Sequence, residues 1–507
     1  MSRAPEQYSH GPPQVSGRQR QVFGRNKQNI GGLETKRRRR TWILVSSLLV
    51  LVLAAAVAVV AILKPWTEEF QHGGLTIAAP PAPVKPLPQV APAPVTAPAA
   101  TAAGLSAALA PVVGSPDLGA FAASVSDGDT GKVLWTLDPD KGMIPSSTAK
   151  ILTTAAALLA LPADHRITTK VVAGSAPGQI VLVGGGDPTI TDQPDGKGYY
   201  PDAPRLQDLV AQVKASGQRV DSILVDTSAY AGPNFAPGWE QSDIGGGSIA
   251  PLDAVMIDGG RLDPLVEYSP RTSTPALDAG KRLAAELGVD QAKVSMGAAP
   301  AGAAQLAAVQ SAPLRERMLQ AMVHSDNVLA EAIGREVAVA GGQEASFAGA
   351  VTATATVLQA AGFDLTGLKM SDSSGLSTED RIPPRLLNRV LTVAAQPDRA
   401  ASQANSSIEP AAEKTAGSPL APMLDMLPVA GGTGSLVSRY VDRDREGAGW
   451  IRAKTGTLSV SSALVGYVLD RDGRVLTFAL MSNDRPPEVS RPALDAVANA
   501  LRNCGCS

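Results

Sequence analysis

The 507-residue chain has two cysteines, and both, Cys504 and Cys506, fall in its last four residues. With no thiol in the body, a structural zinc site and a buried disulfide framework are excluded. A Cys-x-Cys pair could bind metal or close a strained ring; it is read here as a frayed tail. Histidine is nearly as scarce. His10, His72, His165 and His324 are too scattered for a zinc cluster, and His324 is read as structural. No metal and no organic cofactor is expected. The runs "GGG" at 184–186 and "GGTG" at 431–434 lack the Gly-Lys-Ser/Thr of a phosphate loop and read as tight turns. Aromatics make up 4% of the chain, against 44% hydrophobic residues overall, which is ample for a core. The length implies two or three globular units plus tails.

The net charge of −2 hides an asymmetry. Residues 1–40 carry ten Lys/Arg against Glu6 and Glu34, a balance of +8, so the remainder is near −10. Such a basic head implies a membrane or nucleic-acid contact at one end only. After "KRRRR" come 23 residues, Thr41 to Leu63, without a charge, Gly or Pro. At 1.5 Å per residue a helix of that length spans about 34 Å, enough for a bilayer. The cluster Lys36–Arg40 beside it reads as a topology signal that keeps the N-terminus in the cytoplasm, not as a nucleic-acid site. The following "KPWTEEF" offers no small-x-small cleavage site, so an uncleaved anchor is expected. Eight prolines fall between Pro80 and Pro98. That segment favours extended polyproline II, and from Thr76 to Val112 it would reach about 100 Å at ~3.1 Å per residue. The expected organisation is a basic cytoplasmic head (1–40), a transmembrane helix (41–63), a Pro/Ala-rich linker (64–112) and an extracytoplasmic body.

Within the body, "AFAASVSDGDTGKVLWTL" reads as a β-hairpin. "IPSSTAKILTTAAALLAL" reads as a helix, with Ser146 as N-cap and Ser147 and Lys150 one turn apart on one face. From about Arg166 to Pro270 strands alternate with Gly/Pro-rich connections. Helices return from Ala276. "WIRAKTGTL", "SALVGYVLD" and "RVLTFALMSN" are three further strands, and a helix near Glu488–Arg502 closes the chain. This is an α+β body: two N-terminal and three C-terminal strands in one antiparallel five-stranded sheet flanked by helices. A mostly β domain (166–270) is inserted into a discontinuous domain (113–165 and 271–507).

Three short motifs carry chemistry. In Ser147-Thr-Ala-Lys150, a lysine one turn from a serine can take its proton if burial and neighbouring cations depress the amine. The helix N-terminus also favours developing negative charge. In Ser325-Asp-Asn327, a hydroxyl and an amide two residues apart can project from one short loop. In Lys454-Thr455-Gly456-Thr457, Gly lets a substrate backbone approach, and the cation and hydroxyls suit a carboxylate. Alone, each is weak: the first reads better as a capped helix with an exposed lysine, the second as a turn or N-cap, and the third as well as an exposed strand end.

Together, in this order, the three resemble the penicillin-recognising serine peptidases, marked by Ser-x-x-Lys, Ser-x-Asn and Lys-Thr-Gly. "LVGGGDPTIT" (182–191), "SDSSGLS" (371–377), "GGTGSL" (431–436) and "RAKTGTL" narrow this to the D-alanyl-D-alanine carboxypeptidase/endopeptidases of the penicillin-binding protein 4 type. Those carry an extra domain between the first two motifs, and Ser147 and Ser325 lie 178 residues apart. The resemblance implies the transpeptidase-like fold and a set of roles. Ser147 attacks the D-Ala carbonyl and Lys150 is its base. Ser325, helped by Lys454, passes the proton to the leaving group. Asn327 holds the substrate amide, and the N–H groups of Ser147 and Thr457 form the oxyanion hole. Thr455 meets the terminal carboxylate, and Gly456 and Leu376 complete the substrate site. The implied partners are peptidoglycan stem peptides and β-lactam inhibitors. The family often has Arg directly after "GLS"; here Thr378 follows, and Arg381 comes later. The alternatives are a β-lactamase or esterase of the same superfamily and a non-catalytic wall-binding scaffold.

Overall fold

The computed structural model describes residues 52–55, 57–62, 97–396 and 418–507. Residues 52–55 and 57–62 are helical; among the described residues no helix is long and apolar enough to cross a membrane. The head, the rest of the expected span and the linker up to residue 96 lie outside the described residues.

The body opens with α1 (Ala102–Val113), capped by Thr101, whose hydroxyl accepts from Gly104 N. Then come β1 (Ala120–Asp127), β2 (Val133–Leu137) and, after a 3-10 turn at Ser146–Ala149, α2 (Lys150–Ala160). A second group follows: β3 (Thr168–Ala173), β4 (Gln179–Val183), β5 (Asp187–Ile190), α3 (Leu206–Ala215), β6 (Ser222–Asp226), β7 (Val255–Ile257), α4 (Pro275–Leu287), β8 (Val294–Met296) and β9 (Gln305–Gln310). The chain then forms α5 (Leu314–Val323), α6 (Asn327–Ala340), α7 (Phe347–Ala360) and α8 (Pro384–Ala395). It ends with β10 (Ile451–Leu458), β11 (Ser461–Leu469), β12 (Val475–Asn483) and α9 (Pro487–Arg502).

The first sheet has the order β10-β11-β12-β1-β2, all antiparallel. It joins the two ends of the body, as the strand pattern implies. Strand periodicity sends alternate side chains to opposite faces. In β12, Ala479 and Met481 face α2, α5, α6 and α8 on one side, while Leu476, Phe478 and Leu480 face α1 and α9 on the other. Both faces are therefore buried. Leu105 and Leu109, one turn apart on α1, are fully buried against α9, at about 1.5–3 kcal/mol each. The stretch from 102 to 112 is thus helix docked on the body, not extended stalk: its prolines have run out, apart from Pro111, and alanine and leucine favour helix. Cys504 and Cys506 are disulfide-bonded and buried in the same layer, and Thr101 N donates to Cys506 O. The tail is packed, not frayed.

The second sheet, β8-β6-β4-β3-β9, is mixed: β4 and β8 run parallel to β6, while β4 and β9 run antiparallel to β3. Helices α3 and α4 cover it, and Leu209, Val213, Ala279 and Leu283 share its core with Val171, Ile180 and Val225. The unit is α/β rather than mostly β. It also runs to Gln310, so the expected boundary at 270 cuts it short. Parallel pairing needs a long crossover, which places α4 and β8 beyond that point. A parallel pair, β5 and β7, stands apart from this sheet.

Candidate active site

Ser147 lies in the 3-10 turn that leads into α2, beside β10 at the edge of the first sheet. The turn is not capped by Ser146, as expected from sequence. Ser146 sits at φ 49° and turns its hydroxyl to Ser461 Oγ, 2.7 Å away on β11. Such a backbone is strained by about 1–3 kcal/mol and persists where packing over-determines it. Gly456 marks that packing. A Cβ there would lie 2.6 Å from Pro145 O and 3.0 Å from Ser146 Cβ. The glycine in Lys-Thr-Gly thus makes room for the serine turn.

Lys150 Nζ is within hydrogen-bond reach of three oxygens: Ser147 Oγ at 3.1 Å, Asn327 Oδ1 at 2.6 Å and the Ser374 carbonyl at 2.8 Å. The two carbonyl-type oxygens can only accept. A neutral amine would spend its two hydrogens on them and leave its lone pair for the Ser147 hydroxyl. The amine is 1% exposed. Burial lowers its pKa to about 8, against the opposing pull of Asp372, Glu331 and Asp326. Lys454 is fully buried as well. Its amine donates to Ser325 Oγ and to Thr455 O, both at 2.9 Å. Burial, then the nearby charge of Lys150, holds it well below the usual lysine range.

Ser325 follows His324, the C-cap of α5, in a left-handed backbone, φ 59°. Asp326 is the N-cap of α6, accepting from Leu329 N, so one tight loop presents Ser325 and Asn327 together. Asn327 Nδ2 donates to Ser248 O at 3.0 Å, which fixes its oxygen toward Lys150. Loops from the inserted unit clamp this loop. Arg261 donates to Asp326 Oδ2 at 3.0 Å and to Tyr200 OH at 2.8 Å. Burial would raise the Asp326 pKa, but Arg261 and Arg271 pull it down to about 2.

The "SDSSGLS" loop lies beneath. Asp372 accepts from Gly375 N, Ser377 N and Trp239 Nε1, at 2.6–2.7 Å. Glu331 accepts from Ser373 N and Ser374 N; burial, then Asp372, raises its pKa to about 7. These bonds aim the Ser374 carbonyl at Lys150.

A cleft of about 560 Å³ opens above these groups. Ser147, Ser325, Asn327, Leu376, Thr455 and Thr457 line it; Lys150, Lys454 and Gly456 lie behind its wall. Thr455 Oγ1 donates to Ser435 Oγ at 2.7 Å. β10 is an edge strand whose Ala453 N–H turns outward to Pro428 O. By strand alternation, the N–H groups of Thr455 and Thr457 point off the same edge.

Residues 105–271 and 266–504 match the D-Ala-D-Ala carboxypeptidase 3 (S13) family. The chain belongs to that family. It is a serine D-Ala-D-Ala carboxypeptidase of the penicillin-binding protein 4 type. Carboxypeptidase DacB of Mycolicibacterium smegmatis is 47% identical over 477 residues, covering 93% of this chain and 99% of that protein. A carboxypeptidase of Mycobacterium tuberculosis is 46% identical, with 90% and 97% covered. The crystal structure of penicillin-binding protein 4 from Haemophilus influenzae shares the fold, with a TM-score of 0.61 at 20% identity over 79% of this chain and 98% of that one.

Several residues around the site escape a motif reading. Ser435 sits within "GGTGSL" and was within reach. Ser374 acts through its backbone, and Glu331, Arg261 and Tyr200 have no motif that announces them. His324, read as structural, lines the cleft with Nδ1 3.7 Å from Glu267.

Proposed function

We propose that this family's activity runs here through an acyl-enzyme on Ser147, with peptidoglycan stem peptides as substrate. Neutral Lys150 takes the Ser147 proton as Oγ attacks the carbonyl of the penultimate D-Ala. The N–H groups of Ser147 and Thr457 hold the oxyanion, each such donor typically worth ~3 kcal/mol of barrier. Ser325 hands a proton to the leaving amine and is resupplied through Lys454. Asn327 orients the substrate amide. Thr455 and Thr457 meet the terminal carboxylate. Water then hydrolyses the ester. The observation that carries this reading is the Lys150–Ser147 distance of 3.1 Å on a fully buried amine. A free D-Ala or a cross-linked peptide can serve as leaving group, so endopeptidase activity belongs to the same site. β-Lactams, whose ring carbonyl mimics the scissile bond, acylate Ser147.

The test is a labelled penicillin with mass spectrometry of the labelled peptide. The label is expected on Ser147 and absent in Ser147→Ala, whose Lys150 keeps two partners and whose melting is expected to stay unchanged. Labelling that survives this substitution would overturn the assignment. Products from defined muropeptides then separate carboxypeptidase from endopeptidase cleavage.

We further propose that residues 41–63 anchor the chain in the cytoplasmic membrane, N-terminus inside, with the body outside. The uncharged 23-residue span behind Lys36–Arg40 supports this. Protease added to intact spheroplasts is expected to remove everything beyond about Pro65. A protected body beside intact cytoplasmic markers would reverse the topology.

A further inference from the structure

We propose that Arg491, on the first turns of α9, is the cation that reads the substrate's terminal carboxylate. This rests on the reading of the cleft as a D-Ala-D-Ala site and assigns a group within it. In the sequence that role falls to the cation in Lys-Thr-Gly. The structure removes Lys454 from it. The amine is fully buried, lies behind the cleft wall and is engaged by Ser325 Oγ and Thr455 O. It is not among the groups that line the cleft.

Two other cations line the β10 side of the cleft, Arg439 and Arg491. Arg439 is already neutralised. Its Nε and one terminal nitrogen grip Asp495 at 2.9 and 2.6 Å, a two-pronged pair. Arg491 has no ion-pair partner among the described residues. Its Nε donates to Thr457 Oγ1 at 3.2 Å, and the residue is exposed and lines the cleft. Arg491 therefore stands beside the hydroxyl and N–H of Thr457, where the free edge of β10 ends. A planar guanidinium offers a carboxylate two parallel donors, which a buried ammonium does not.

The acids that line the cleft support the same placement. Glu240, Asp243 and Glu267 come from the inserted unit; the fourth, Asp326, is paired with Arg261, and Arg271 is held by the Gly247 and Gly259 carbonyls, so neither of these two cations of the inserted unit is free for a ligand. A substrate carboxylate is repelled from the first three acids and directed to the β10 and α9 side, where Thr455, Thr457 and Arg491 gather. The ligand is thus a peptide whose leaving residue bears a free α-carboxylate. A leaving residue with an amidated carboxyl is a poor substrate.

The experiment compares a peptide ending in D-Ala-D-Ala with the same peptide ending in a carboxamide, on the full-length enzyme, Arg491→Gln and Arg491→Lys. The wild type is expected to favour the acid by about ten- to a hundredfold in kcat/KM, the range for losing a charged hydrogen bond. In Arg491→Gln the acid slows by most of that factor, mainly through KM, while the amide changes by less than about threefold. Arg491→Lys retains part of the preference. An Arg491→Gln enzyme that keeps the full acid preference overturns the assignment. Equal slowing of acid and amide also overturns it, because it marks a structural role. Failure of the wild type to cleave the acid peptide at all would instead remove the D-Ala-D-Ala reading beneath it.

Discussion

Lys150 Nζ lies 2.8 Å from the carbonyl oxygen of Ser374. That contact links the first motif to a loop more than two hundred residues away, and it sets what the amine can do. With Asn327 it consumes both hydrogens of a neutral amine and aims the lone pair at Ser147.

Acylation is expected to rise with pH as Lys150 loses its proton, with a midpoint near its value of about 8. The sign follows from the role: a base acts only when deprotonated, and burial moves that transition below the usual lysine range. Lys150→Arg stays charged at any accessible pH and is expected to be nearly inactive. Penicillin acylation rates across pH 6–10 check this. A rate that is flat or falls through that range would remove Lys150 as the base.

Glu331→Gln is expected to move that midpoint down, by up to about one unit. The Glu331 charge favours protonated Lys150, so its removal frees the base at lower pH. The amide that replaces the carboxylate still offers an oxygen to the N–H groups of Ser373 and Ser374, but it leaves the buried Arg335 without its ion-pair partner, so the melting of the variant is measured alongside. The same acylation profile serves as readout; a midpoint that stays or rises would mean that Glu331 carries no charge when the enzyme works.

Gly456→Ala is expected to slow acylation at least tenfold and to cost about 1–3 kcal/mol of stability, as overpacking does. The new methyl meets Pro145 O at 2.6 Å, and backbone cannot swing aside as a side chain can. The serine turn must shift. Acylation rate and urea unfolding together measure both effects. A fully active, fully stable variant would show that β10 and the turn have slack.

Much of this was legible in the sequence because it is written in contiguous patterns. The strands β10, β11 and β12 are apolar runs with a turn between them, and each catalytic motif is three or four residues long. What the sequence hid depends on residues that meet only in three dimensions. Ser146 reads as an N-cap, but its hydroxyl is taken by Ser461 on a strand far along the chain. Lys454 reads as a cleft cation, and only the fold shows its amine buried against Ser325 and Thr455. The second sheet ends at Gln310 rather than near 270 because a parallel strand such as β8 gives no hairpin signal. Cys504 and Cys506 read as a loose tail, since nothing local tells of the α1 cap to which they are tied.

The last prediction concerns Arg261 and Asp326, which join the inserted unit to the Ser325 loop. Their side chains are 1% and 2% exposed. The guanidinium also covers the Tyr199 ring at 3.5 Å from its centre. Removing one partner of such a pair leaves a buried charge alone, typically at a cost of 3–5 kcal/mol. Arg261→Met is therefore expected to destabilise the body by about that amount at pH 7. Acylation should slow as well, because Asp326 sits between Ser325 and Asn327 and caps α6. The pH dependence has a definite sign. In the wild type Asp326 is held at about 2, below its unfolded value, so its contribution is present above about pH 4 and lost only as pH falls toward 2. Without Arg261 the carboxyl protonates more readily, which removes the orphaned charge. The deficit of Arg261→Met relative to wild type should thus be smaller at pH 4 than at pH 7. The double variant Arg261→Met/Asp326→Asn removes the charge at every pH and should recover part of the stability. Chemical denaturation of the three proteins at both pH values decides the matter. A deficit that does not change with pH, together with a double variant no more stable than the single, would show that Arg261 acts through packing on Tyr199 and not through Asp326.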